Sequence, residues 1–121
     1  MWMIPESVKI FIATSPTDMR KSFDGLSNLV YSVIEMDPLS GHVFVFFNRS
    51  RDRIKILWWH NGGFNLFCRR LERGQFGSSQ LFSTGSAARS ATGMELAMIL
   101  EGIDWKSVTK RSRWVPKSRE F

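Results

Sequence analysis

Residues 41–74, GHVFVFFNRSRDRIKILWWHNGGFNLFCRRLERG, decide the fold. They hold two apolar β-type runs, 42–47 and 54–59, and a mixed third run, 64–72. Val, Ile, Phe and Trp suit a pleated, half-buried surface, so each run predicts a strand. Polar NRSRDR joins the first two runs and HNGG the last two. Asn61-Gly62 signals a tight hairpin, because such a turn needs positive φ, which Asn and Gly tolerate. Together these predict a three-stranded antiparallel meander. The same stretch is strongly basic: Arg49, Arg51, Arg53, Lys55, Arg69, Arg70 and Arg73 face only Asp52 and Glu72 as acids.

Upstream, Val8, Ile10 and Ile12 alternate in VKIFIA and predict a first strand. Ser15-Pro16-Thr17-Asp18 then has the form of a helix start, with Pro at the first helical position and an acid at the third. Met19, Phe23, Leu26, Val30 and Val33 follow at spacings of four, three, four and three, which is one face of an α-helix. Asp37-Pro38 ends it. Downstream, residues 75–93 are rich in Ser, Gly, Ala and Thr and predict a mobile loop with room for a short edge strand. Thr92 and Glu95 form a second capping pattern before MELAMILE, a short helix closed by Gly102. The predicted fold is α+β: an antiparallel β-meander with one long helix packed on a face and a short C-terminal helix. Residues 1–105 are expected to form one domain. Residues 106–121, which include Lys110, Arg111 and Arg113, are expected to form a basic, flexible tail.

A chain of 121 residues suits one domain, and 43% hydrophobic residues argue for a packed core rather than disorder. Charge is unevenly divided. Residues 1–40 carry three Lys/Arg against five Asp/Glu, a balance of −2, and the remaining residues carry fourteen against six, or +8. That layout fits a polyanion partner, most simply nucleic acid, against the plainer reading of a solvated basic surface. The lone Cys68 allows no internal disulfide. With no apolar signal region and no run long enough to span a bilayer, a cytoplasmic protein without membrane contact is expected.

Catalytic and metal chemistry find little support. His42, His60 and Cys68 do not make a zinc ligand set, and no phosphate-loop or metalloprotease motif occurs. Cys68 and His60 lack a third orienting group, so Cys68 reads as structural. The acids are too scattered for a metal-dependent nuclease. No cofactor is expected. On a strand, Lys55, Leu57 and Trp59 share one face and Ile54, Ile56 and Trp58 the other. One tryptophan is expected in the core under the long helix. Trp59, beside Lys55 on the open face, would stack on bases while arginines hold phosphates. The alternative is that both faces are covered and both rings lie in the core.

Several blocks stand out: Ala13-Thr14, Thr17-Asp18-Met19-Arg20-Lys21, Phe23-Asp24-Gly25-Leu26, Phe44-Val45-Phe46, Ile54-Lys55-Ile56-Leu57-Trp58-Trp59, Arg70-Leu71-Glu72-Arg73-Gly74 and Leu100-Glu101-Gly102-Ile103-Asp104-Trp105. Together they resemble the small TnpB-type accessory protein of IS-66-type insertion sequences. They occur in family order over roughly residues 4–106. The chain departs from the pattern at His60-Asn61, at Ser22 and across residues 75–83. The resemblance implies an intracellular accessory factor that assists a separate, larger transposase and carries no catalytic residue. The expected function is DNA binding during transposition through Arg49, Arg51, Arg53, Lys55, Trp59, Arg69, Arg70 and Arg73, with Lys110, Arg111 and Arg113 of the tail. The alternative is a protein-interaction module that docks the transposase or a second copy.

Overall fold

The computed structural model describes residue 5, residues 7–104 and residues 109–110. Strand β1 (Ile10–Ala13) leads through helix α1 (Phe23–Leu29), which continues as a π-helical turn over Val30–Ile34, to β2 (Val43–Phe47), β3 (Arg53–His60) and β4 (Gly63–Arg70). A 3-10 turn (Ser79–Leu81) precedes β5 (Ala88–Ala91) and α2 (Gly93–Glu101). A small antiparallel pair, β6 (Ile103–Asp104) and β7 (Thr109–Lys110), follows.

The fold is α+β, but the sheet is mixed rather than a meander. Five strands lie in the order β4-β3-β2-β1-β5. The β2–β3 and β3–β4 pairings are antiparallel, β1 runs parallel to β2, and β5 runs antiparallel on the other side of β1. Parallel neighbours need a crossover of a dozen or more residues, and the stretch holding α1 supplies it. Strand periodicity carries no information on which strand a run pairs with, so this could not be read from the first strand's pattern. The hairpin read from Asn61-Gly62 is present. His60 pairs with Gly63 across a two-residue loop, with φ of 52° at Asn61 and 74° at Gly62.

Both faces of the sheet are covered. On one, Ile10, Ile12, Val43, Val45, Phe47, Ile54 and Ile56 pack under Leu96, Ile99 and Leu100 of α2 and under Phe76 and Leu81 of the connecting loop. On the other, Ala13, Phe44, Phe46 and Leu57 pack under Leu26 and Val30 of α1. Central β2 is buried along its whole length. Full burial of one such aliphatic or Phe side chain contributes about 1.5–3 kcal/mol.

The first helix corrects the expectation most. It does not begin at Ser15-Pro16 but at Phe23, and residues 15–22 are irregular chain with one turn at 19–20. The Asp18 side chain, expected to cap a helix, accepts from the Arg20 backbone at 2.9 Å and from its guanidinium. Only part of the expected face is core: Leu26 and Val30 are fully buried, whereas Phe23 is 44% and Val33 54% exposed. Phe23 sits at the helix start, beyond the sheet's cover. Val33 lies in the π turn, whose wider hydrogen-bonded ring shifts the phase so that Ile34 packs inward in its place. Glu35 ends the helix in the left-handed region at φ 60°. The C-terminal helix is as expected: Thr92 and Glu95 form a capping box and Gly102 is the C-cap at φ 78°. Thr109–Lys110, expected in the tail, pairs with Ile103–Asp104.

Candidate nucleic-acid interface

Two turns build the site. In the β2–β3 turn, Asn48 donates from Nδ2 to Asp52 Oδ1 at 2.6 Å and accepts the Arg53 N–H at 3.0 Å, while Ser50 Oγ donates to the same Asp52 oxygen at 2.9 Å. The Asn48 and Ser50 bonds hold the Asp52 carboxyl below the ordinary range. Arg51 adopts φ 56°, which turns its side chain inward and leaves Arg49 and Arg53 exposed. The second turn, residues 17–20, is tied to the sheet by the Thr17 N–H on Phe47 O at 2.8 Å. Between the turns lies a cleft lined by Thr17, Asp18, Met19, Arg20, Asn48, Arg49, Ser50 and Arg53. A second cleft of about 330 Å³, lined by Met19, Arg53, Ile54, Lys55, Cys68, Arg69 and Arg70, shares Met19 and Arg53 with it. The two are one continuous depression beside the start of α1.

The depression is cationic. Arg53 lies directly opposite Arg70 in the β3–β4 register, an arrangement that repels in the free protein. Arg70 pairs with Glu72 at 2.8 Å and Arg20 with Asp18 at 2.7 Å, all four groups solvent-exposed. Among the described residues, Arg49 and Arg53 have no carboxylate within ion-pairing distance. Lys55 donates from Nζ to the Lys21 carbonyl at 2.6 Å and keeps further donors for a ligand.

The structure thus brings together Arg49, Arg53, Lys55 and Arg70 of the expected site; Arg69 borders the second cleft but commits its guanidinium elsewhere, and Arg51, Trp59 and Arg73 lie apart. Arg51 is corrected from an exposed turn charge to a buried one, 9% exposed. Its Nη2 donates to Gln75 Oε1 at 3.1 Å, its carbonyl accepts from Phe76 N–H, and its buried Nε has no partner among the described residues. Burial pushes its pKa down. A buried cation without a counter-charge contributes little net stability, so Arg51→Met is expected to leave the urea midpoint nearly unchanged. Arg51→Glu should cost about 2–4 kcal/mol by placing a carboxylate where no donor replaces water. Equal stability of the two variants in urea titration would refute this.

Arg69 faces α2 and donates to the Leu100 carbonyl at 2.9 Å, a cation on the carbonyl end of a helix. Arg73 is exposed beyond β4 and does not line the depression. Trp59 shares the face of Lys55, but that face is the α1 side, not an open one. Its ring meets Phe64 edge-on at 5.0 Å, and buried Leu57 and α1 separate it from Arg53, six residues or about 20 Å along the strand. Trp58 packs against the α2-side core. Lys110 lies in β7; its side chain, and Arg111 and Arg113, lie outside the described residues. Cys68 pairs with Lys55 near one end of the hairpin and His60 with Gly63 at the other, so they make no nucleophile–base pair.

Arg20 was not among the residues expected from sequence. Its signal was Asp18-x-Arg20, an acid bonding its own chain two residues on, which the helix reading concealed. Arg20 hydrogen bonds hold the Asp18 pKa at about 2, against an ordinary 3.8. A depressed carboxyl pKa stabilises above the ordinary value, and that contribution is lost as pH falls from 3.8 toward 2. Asp18→Asn should therefore lose less of its melting temperature than wild type between about pH 5 and pH 2. Parallel acid profiles of the two proteins would contradict this.

No group of three or more His, Cys, Asp or Glu among the described residues could hold a metal ion. No described helix is long and apolar enough to cross a membrane. The sequence model described as IS66 Orf2-like protein matches residues 8–110. The chain is 38% identical over 106 residues to "Uncharacterized protein y4hO" of Sinorhizobium fredii (strain NBRC 101917 / NGR234), covering 86% of this chain and 90% of that one. It is 31% identical over 105 residues to "Uncharacterized protein y4jC" of the same organism, covering 86% of each. No solved structure matches. With the family's pattern running from the first strand through β7, the chain belongs to the IS66 Orf2-like family, which points to an accessory role in transposition.

Proposed function

We propose that the chain is a non-catalytic accessory factor of transposition that holds DNA through the cationic depression beside α1. The observation that carries this reading is the convergence of Arg20, Arg49, Arg53, Lys55 and Arg70 on one depression, with Arg53 set against Arg70 across the strands. Like charges held face to face cost stability unless something anionic bridges them, and a phosphate backbone does so repeatedly. Planar guanidinium groups suit phosphate oxygens bidentately. The contact is sequence-independent in kind: it positions a duplex and leaves base reading to other groups.

The test is a binding titration against element-end and unrelated duplexes at several salt concentrations. Phosphate contact releases condensed counterions, so affinity should fall with salt for both duplexes, by about 0.9 log units per contact for each decade of salt. Binding that is indifferent to salt would exclude the depression.

A second reading has its own observation. Tyr31, 71% exposed, and Val33 stand on the outer side of the π-helical turn that continues α1, with exposed Leu39 following. This surface favours a protein partner such as the transposase. Under that reading, DNA affinity is absent at low salt, and Tyr31→Ala abolishes capture of purified transposase.

A further inference from the structure

Strand β4 is one edge of the sheet and eight residues long, with neither proline nor bulge in its register to β3. In a two-residue hairpin the pair flanking the loop exchanges both backbone hydrogen bonds, and bonded and non-bonded pairs then alternate. The loop here is flanked by His60 and Gly63. Gly63, Asn65, Phe67 and Arg69 therefore bond inward to β3. The Leu71 N–H on Asp52 O, at 2.7 Å, continues that series. Phe64, Leu66, Cys68 and Arg70 direct their N–H and C=O groups away from the sheet. No described strand lies beyond to receive them. Such an edge is a template for another strand.

We propose that β4 pairs antiparallel with β4 of a second copy of this chain, about a two-fold axis through Phe67. Centring on Phe67 sets Phe64 against the partner's Arg70 and Leu66 against the partner's Cys68, and the reciprocal pairs follow by symmetry. Every outward donor and acceptor of the four residues is then used. A slip of two residues leaves an outward-facing residue of each copy without a strand residue opposite. A slip of one sets outward residues against inward ones and mismatches the faces. The side chains agree with the same register. Arg70 comes to the ring of Phe64, Arg69 comes opposite Asn65, and the two half-buried Phe67 side chains become a close cross-strand aromatic pair. No like charges are opposed. Parallel self-pairing in register would instead set Arg69-Arg70 against Arg69-Arg70.

The two-fold axis stands perpendicular to the fused sheet, so the α1 sides of both copies face the same way. Each Arg53 then lies about 20 Å along the strands and three strand spacings from its counterpart, roughly 25 Å in all. That is within one turn of duplex DNA, about 34 Å. This last consequence rests on the DNA reading of the depression; the pairing itself does not.

The test measures mass first without DNA, by sedimentation equilibrium of the full chain from about 1 to 100 µM. Twice the chain mass is expected. Cys68→Pro removes one outward N–H without touching the ladder to β3 and should raise the dimer dissociation constant at least tenfold, while Cys68→Ser leaves it unchanged. Should Cys68→Pro fail to fold, Phe67→Cys in the Cys68→Ser background decides: mild oxidation should link two copies covalently, because opposed non-bonded residues bring their Cα atoms to about 4.5 Å. A wild-type monomer throughout the range overturns the proposal. So does a dimer that tolerates Cys68→Pro in a folded protein, or one that gives no covalent link. The DNA reading fails separately, by salt-indifferent binding of whichever species is present.

Discussion

Phe76→Ala is expected to lower the melting temperature by roughly 12–25 °C, whereas Phe23→Ala leaves it within a few degrees. Phe76 is fully buried, packs its ring 6.0 Å from that of Phe47, and gives its N–H to the Arg51 carbonyl. It is the plug by which the loop after β4 closes the α2 side of the core. Removing a buried phenyl ring forfeits its transfer free energy and leaves a cavity, together costing about 3–5 kcal/mol. Against a typical domain stability of about 5–15 kcal/mol that is a large fraction. Phe23, by contrast, already presents much of its ring to water. Chemical denaturation of both variants checks the pair. A stable Phe76→Ala protein would mean that the loop is not part of the folding unit.

The second large effect concerns DNA. With Arg20, Arg49, Arg53, Lys55 and Arg70 giving four to five phosphate contacts, raising salt from about 50 to 200 mM should weaken duplex binding by around two to three decades. Arg53→Gln with Arg70→Gln removes two contacts. The log–log slope should then flatten by nearly two units, and the same salt step should cost only about one to one and a half decades. Folding should survive, because both side chains are exposed and their mutual repulsion is relieved. Arg69→Gln serves as the contrast. Its guanidinium is occupied by the Leu100 carbonyl, so the salt slope should hold while the seating of α2 weakens. If Arg69→Gln flattens the slope and the Arg53/Arg70 pair does not, the cationic surface lies on the other side of the sheet.

The sequence alone determined the local structure wherever a short-range rule applies. The Asn61-Gly62 hairpin needs positive φ at two successive residues, and the Thr92–Glu95 cap satisfies backbone groups within one turn. The β-branched and aromatic runs became strands, and the resemblance to the IS66 accessory proteins was legible in blocks of neighbouring residues. What needed the tertiary structure was everything set by distant partners. Parallel pairing of β1 with β2 is one case. The late start of α1 is another, since the segment before it is held to β2 by the Thr17 N–H on the Phe47 carbonyl, thirty residues away. The site divided for the same reason. Arg49, Arg51 and Arg53 are alternate residues of one turn, indistinguishable in composition. A single left-handed φ at Arg51 sent its side chain under the loop after β4 and left its neighbours in the cleft. Burial is a property of what packs above a residue, and for Arg51 that cover comes from chain more than twenty residues away.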